Sequence, residues 1–226
     1  MKDWAVFGAI GIILIRTIFL ILGISKWERL SRIFFLLCIY QGLNWITENV
    51  SFYLFIHSWN NMPLLNFHNG FRLVLFFLIY KEMLWQGTWF RKQLVWMVLI
   101  GLGSLSLYML VLGSGEESSG HGSSLVDAFI LGLTFYVLVQ ELSRRPIAEL
   151  GVQPYVWIIS ANLIYTSINI VFWQIFSIMS DGVMQNQGAI FFWIHLSSMM
   201  IWELLVLVGL WKALFPSKIY RSSSLW

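Results

Sequence analysis

Trp4-Ala-Val-Phe-Gly-Ala-Ile-Gly-Ile-Ile-Leu-Ile-Arg16-Thr-Ile-Phe-Leu-Ile-Leu-Gly-Ile24 carries a single charge in 21 residues and runs straight into Ser25-Lys26-Trp27-Glu28-Arg29. About 20 apolar residues span the hydrocarbon core of a bilayer, and a helix satisfies all of its own backbone groups there. The stretch therefore predicts a membrane-spanning helix that ends in a basic connector.

Six further apolar stretches follow, at Ile33–Ile56, Leu64–Trp85, Leu94–Leu112, Leu125–Leu142, Tyr155–Met179 and Ala189–Leu214. Short polar connectors separate them, among them the Gly/Ser-rich Gly113–Ser124 and the segment Ser180–Gly188. Pro63, Pro146, Pro154 and Pro216 fall at or beyond the expected helix ends, where a missing N–H costs little. The composition agrees: the chain is 58% hydrophobic and 11% charged with a mean hydropathy of +0.75, whereas soluble domains carry roughly 25% charged residues. The expectation is an all-α polytopic membrane protein, a seven-transmembrane-helix bundle over residues 1–214 with a short tail at 215–226. The first stretch is read as a span and not a signal peptide, because it is long and lacks a small-residue cleavage site. No internal repeat is evident.

Basic residues set the expected orientation. Lys26, Arg29, Arg32, Arg91, Lys92, Arg144, Arg145, Lys212, Lys218 and Arg221 fall in the first, third and fifth connectors and the tail. Only Lys2 lies on the opposite side. The positive-inside rule then places the C-terminus in the cytoplasm and the N-terminus outside. The net charge of +3 is accordingly the inner rim of a membrane protein and not a nucleic-acid surface. Thirteen Trp and eight Tyr, several near span ends, suit interfacial aromatic belts. The lone Cys38 is expected as a small packed hydrophobe.

Ionisable groups inside hydrocarbon cost at least about 2.5–3.5 kcal/mol each, so they are expected to face the bundle interior and to pair. Gln41, Asn44, Glu48 and Ser51 form one helical face of the second span, and His68 and Arg72 stand four apart on the third. Asn162, Thr166 and Asn169 line the sixth, and His195, Ser198 and Glu203 lie in the seventh. At about 1.5 Å of rise per residue, Glu48 and Arg72 lie roughly 12 Å below the outer surface, His195 about 9 Å and Asn169 about 15 Å. The expectation is an outward-facing pocket of Asn44, Glu48, Arg72, Asn169 and His195, with Glu48 paired to Arg72. The competing expectation is interhelical hydrogen bonding alone, worth roughly 0.6–2 kcal/mol per contact. A deeper pair, Arg16 with Glu203, is expected as a structural clamp. Lys81, Glu82 and Glu141 are expected to reach the inner interface.

His57, His68, His121 and His195 all fall on the outer side, but no two have the local spacing of a helical metal site, and no metal or cofactor is expected. The chain lacks a phosphate-binding glycine loop and a nucleophile elbow, so no enzymatic activity is expected. A mid-span lysine of the kind that carries retinal is also missing from the last span.

The stretches Gln41–Ser51, Phe71–Glu82, Val137–Ser143, Pro154–Trp157 with Leu163–Tyr165, and Trp193–His195 with Leu210-Trp211 resemble a family of small stand-alone bacterial seven-helix membrane proteins. The resemblance covers most of the chain as a pattern of apolar and aromatic positions. It implies a sensor or accessory subunit of the bacterial cytoplasmic (inner) membrane that relays an outer-leaflet or periplasmic signal to a partner such as a membrane-bound histidine kinase. The other expectation is a small-molecule transporter that uses the intramembrane polar residues.

Overall fold

The computed structural model describes residues 2–57, 59, 62–83, 118–144, 146–178 and 181–215, together with 93, 96, 100, 101 and 104. Six long helices account for nearly all of them: α1 (Lys2–Ser25), α2 (Arg32–Ile56), α3 (Met62–Met83), α4 (Ser118–Arg144), α5 (Pro154–Ile178) and α6 (Asp181–Leu214). A 3-10 turn at Trp27–Arg29 follows α1, and a single helical turn at Ile147–Leu150 precedes α5. The expected span at Leu94–Leu112 lies almost wholly outside the described residues. Of its positions, Gly101 is buried, with its Cα hydrogens facing Leu73 of α3 and Phe129 of α4.

Among the described residues, the segments Ser123–Ser143, Pro154–Ile175 and Trp193–Leu214 are long and apolar enough to cross a membrane, and Ile10–Ser25 is a shorter apolar segment. The expected second and third spans form helices of 25 and 22 residues, but polar side chains interrupt their hydropathy. Those side chains turn inward. Gln41, Asn44, Thr47, Asn69 and Arg72 are buried, while Ile39, Ile46, Val50, Phe67, Phe71 and Val74 of the same two helices are exposed. Among the described side chains of α1, the exposed large apolar residues are Ile10, Ile13, Leu14, Ile18, Ile21 and Ile24, one continuous stripe, with Arg16 buried at 1%. An apolar exterior around a polar interior is the pattern that lipid, not water, rewards.

Two helices begin earlier than hydropathy predicts. α4 starts at Ser118 and not Leu125, and α6 starts at Asp181 and not Ala189, so helix takes in the ends of both expected connectors. Neither added segment contains proline, and helical backbone needs no apolar side chains once it leaves the hydrocarbon. Hydropathy locates the membrane core, not the helix end. At 34 residues α6 is about 51 Å long, well beyond a bilayer's hydrocarbon thickness.

The helices close into a ring in which each packs on its chain neighbour and α6 returns to α1; α3 packs directly on α4. Small residues permit the tightest approaches. A Cβ at Gly209 of α6 would lie 2.9 Å from the Pro154 carbonyl oxygen at the start of α5, so glycine is required for that backbone contact. The apolar core of Phe19, Leu37, Phe76, Ile79, Ile130, Ile158, Val206 and Leu210 fills the half of the ring nearest Lys26, Arg29 and Lys212. Tyr80 ties this half together: it accepts from Asn162 Nδ2 at 2.7 Å and stands 2.6 Å from Thr134 Oγ1. Trp202 Nε1 donates to Asn162 Oδ1 at 2.7 Å, and Thr134 and Thr166 donate to the Ile130 and Asn162 carbonyls. This network of satisfied groups joins four helices.

At the same end Lys212 Nζ donates to the Gly151 carbonyl at 2.8 Å and lies 4.8 Å from the centre of the Trp157 ring. Arg32 and Glu82 pair at 3.4 Å. Glu141 departs from its expected place at the interface. It is buried, and Tyr155 donates its hydroxyl to Glu141 Oε2 at 2.7 Å. Cys38 packs with its sulfur over Gly23.

Candidate polar cavity within the helix ring

Away from the apolar core, the ring encloses a partly open cavity of about 140 Å³. Asn44 and Glu48 of α2, Arg72 of α3, Asn169 of α5 and His195 of α6 all line it. The five residues expected at the pocket therefore share one cavity. They do so because α2 and α5 approach it from their C-terminal halves, and α3 and α6 from their N-terminal halves. A single depth is reached from both directions.

The charge pairing differs from the sequence expectation. Glu48 and Arg72 are not partners. Arg72 Nη2 lies 2.5 Å from Asp127 Oδ1, and Asn169 Nδ2 donates to the other oxygen, Asp127 Oδ2. Asp127 is fully buried. Hydropathy conceals it, because a fifth span that starts at Leu125 leaves Asp127 at an apparent helix end. With α4 beginning at Ser118, Asp127 stands nine residues into the helix, about 14 Å along it.

Glu48 instead reaches α1, where its Oε2 lies 2.5 Å from Arg16 Nη1. Arg16 also donates from Nε and Nη2 to Glu203 Oε1 at 2.8 and 2.5 Å, and Gln41 Nε2 donates to Glu203 Oε2 at 2.5 Å. The expected deep Arg16–Glu203 pair is present, but it is not separate from the pocket. One guanidinium serves two carboxylates, and all three residues line the cavity. Arg16 and Glu203 are 1% exposed, whereas Glu48 keeps 40% of its side chain exposed.

Aromatic rings form much of the remaining wall. Tyr40 stacks edge-on against Phe76 and Trp202 at 4.9 and 5.8 Å, and lies 6.2 Å from His68. Arg72 Cζ sits 5.3 Å from the centre of the Tyr165 ring, a cation–π distance. His195 stacks on Phe172 at 4.5 Å and 18°, flanked by Tyr165 and Trp173. Asn69 Nδ2 donates to Ser123 Oγ at 3.0 Å across the α3–α4 seam. Neither Tyr40 nor Trp202 stands out in the sequence, since aromatic residues in apolar helices carry no periodic mark of their own.

Several buried polar atoms of the lining lack a hydrogen-bond partner among the described residues: Arg72 Nε, Asn169 Oδ1 and His195 Nδ1. Leaving such atoms unpaired costs about 1–3 kcal/mol each, in contrast to the satisfied network around Tyr80. Ser198, one turn from His195, donates its hydroxyl to the His195 backbone carbonyl at 2.7 Å, so it is not poised on the imidazole as a nucleophile would be. Among the described residues no group of three His, Cys, Asp or Glu side chains is gathered as a metal site. His57 lies apart, its Nδ1 2.9 Å from the Tyr53 carbonyl, and the His121 side chain lies outside the described residues.

No protein-family model, curated protein or solved structure matches this chain.

Proposed function

We propose that this chain is a non-enzymatic receptor-like subunit of a bacterial cytoplasmic membrane, with seven spans, its N-terminus outside and its tail in the cytoplasm. A small polar ligand enters the cavity from the outer side, and the bundle passes its occupancy to a partner at the basic face. The observation that carries this reading is the convergence of Asn44, Glu48, Arg72, Asn169 and His195 on one cavity that retains unpaired buried polar atoms. The hydrogen bonding that serves packing around Tyr80 is closed by comparison.

The relay has a physical route. Arg16 and Glu203 line the cavity, and the helices that carry them, α1 and α6, pack on each other and continue toward Lys26, Arg29 and Lys212. A ligand that competes with Arg16 for Glu48 would loosen this three-membered cluster and shift the α1–α6 contact. The resemblance to stand-alone sensory membrane proteins supports a partner of the histidine-kinase kind.

Affinity purification from native membranes, followed by mass spectrometry and reconstitution with the recovered partner, tests the proposal. A co-purifying kinase whose autophosphorylation depends on the chain supports it. Saturable solute uptake by vesicles containing the chain alone would replace it with the transporter reading, for which the intramembrane charges are the favouring observation.

A further inference from the structure

Among the described residues, with the carboxylates counted as ionised, the charges around the cavity do not balance. Arg72 and Asp127 neutralise each other at 2.5 Å. Arg16 neutralises only one of Glu48 and Glu203, although it contacts both. Neither His68 nor His195 has a carboxylate partner among the described residues; their neighbours include Tyr40, Phe172, Tyr165 and Trp173. Both imidazoles therefore count as neutral in a site where a buried charge needs a partner. One negative charge is left over. It belongs to Glu48 in practice, because Glu203 also takes the Gln41 amide and is buried at 1%, whereas Glu48 has its Oε2 on Arg16 and a half-exposed side chain.

The remaining features suit a cation. Asn169 is 2% exposed, lines the cavity and holds its Oδ1 without a partner among the described residues, an acceptor waiting for a donor. Tyr40, Tyr165, Trp173 and Trp202 supply aromatic surface of the type that stabilises ammonium groups. Arg72 Nε is an unpaired donor, which leaves room for one neutral acceptor on the ligand. The volume of about 140 Å³ sets the size, since a cavity of roughly 150 Å³ holds a benzene-sized molecule. A free carboxylate would raise the excess to two negative charges, and a zwitterion would leave it uncorrected.

We propose that the cavity binds a small organic ammonium ion, held between the Glu48 carboxylate, the Asn169 amide oxygen and the aromatic wall. This names the ligand class of the receptor cavity above and rests on that reading.

The test uses the full-length protein in lipid nanodiscs, titrated at constant ionic strength with methylammonium, tetramethylammonium, sodium, acetate and glycine. Binding is followed by calorimetry and by the fluorescence of the cavity tryptophans. The two ammonium ions should bind saturably and in competition, with acetate silent and sodium weaker by about tenfold or more. Glu48→Gln should weaken methylammonium by about tenfold, and the nearly isosteric Asn44→Asp should tighten it several-fold by adding a second negative charge. The Asn44→Asp arm keeps the test open if Glu48→Gln fails to fold. Sodium binding as tightly as methylammonium, or affinity unmoved in Asn44→Asp, overturns the ligand class. So does Glu48-dependent binding of acetate or glycine without ammonium binding, which leaves the receptor cavity standing. No binding of any solute, together with unchanged partner output when Asn44→Trp fills the cavity, overturns both.

Discussion

Arg16 and Glu203 meet across 187 positions of sequence, with Nε and Nη2 of one donating to Oε1 of the other at 2.8 and 2.5 Å. Both are 1% exposed. Removing Arg16 strands the buried Glu203 carboxylate, so Arg16→Gln should destabilise the protein by roughly 3–5 kcal/mol, whereas Glu203→Gln, which leaves Arg16 on Glu48, should cost less. Arg16→Gln combined with Glu203→Gln should cost clearly less than the sum of the two single changes. Thermal unfolding in detergent measures both, and strictly additive losses would contradict the pairing.

The Arg72–Asp127 contact makes a second prediction that separates it from the sequence expectation. Arg72→Gln and Asp127→Asn should each destabilise by about 3–5 kcal/mol and should couple strongly in the double variant. Arg72→Gln and Glu48→Gln should couple much more weakly. If the coupling instead lies between Arg72 and Glu48, Arg72 is not the partner of Asp127.

These pairings show where the sequence was legible and where it was not. Helical spacing on α2 and depth counted from helix ends bring Asn44, Glu48, Arg72, Asn169 and His195 to a common level, and the structure gathers them in one cavity. Depth alone cannot choose partners. Glu48, Arg72, Arg16 and Asp127 lie close enough in height that lateral position decides, and lateral position depends on helix rotation and ring order. Asp127 is obscured by an error of seven residues in the start of one helix. The early starts of α4 and α6 are equally hidden, because polar residues continue a helix without any change in hydropathy to announce it.

Tyr80 should be structural and not involved in ligand binding. Tyr80→Phe removes the hydroxyl that Asn162 Nδ2 and Thr134 Oγ1 share. It leaves buried polar groups unpaired at a cost of about 1–3 kcal/mol. Melting should fall accordingly while methylammonium affinity holds. A loss of affinity without a loss of stability would place Tyr80 in the site.

Gly209 should tolerate no side chain. A Cβ there would approach the Pro154 carbonyl oxygen to 2.9 Å and the Trp157 Cβ to 3.3 Å. Gly209→Val should therefore destabilise by roughly 1–3 kcal/mol through overpacking of the α5–α6 seam. At Gly132 a Cβ would meet nothing within 4 Å, so Gly132→Ala serves as the control and should be neutral or better. Equal melting of the two variants would contradict the close approach.

The central claim, a polar cavity inside the bundle that opens to the outer side, is tested most directly by thiol accessibility. Thr47 lines the cavity and is 9% exposed, and Cys38 is the one cysteine of the chain. Thr47→Cys in a Cys38→Ala background is exposed to a membrane-impermeant thiol reagent in intact spheroplasts and in inverted vesicles. The account predicts labelling from spheroplasts, slowed by methylammonium, and none from inverted vesicles. Labelling only from inverted vesicles, or only after denaturation, would contradict it.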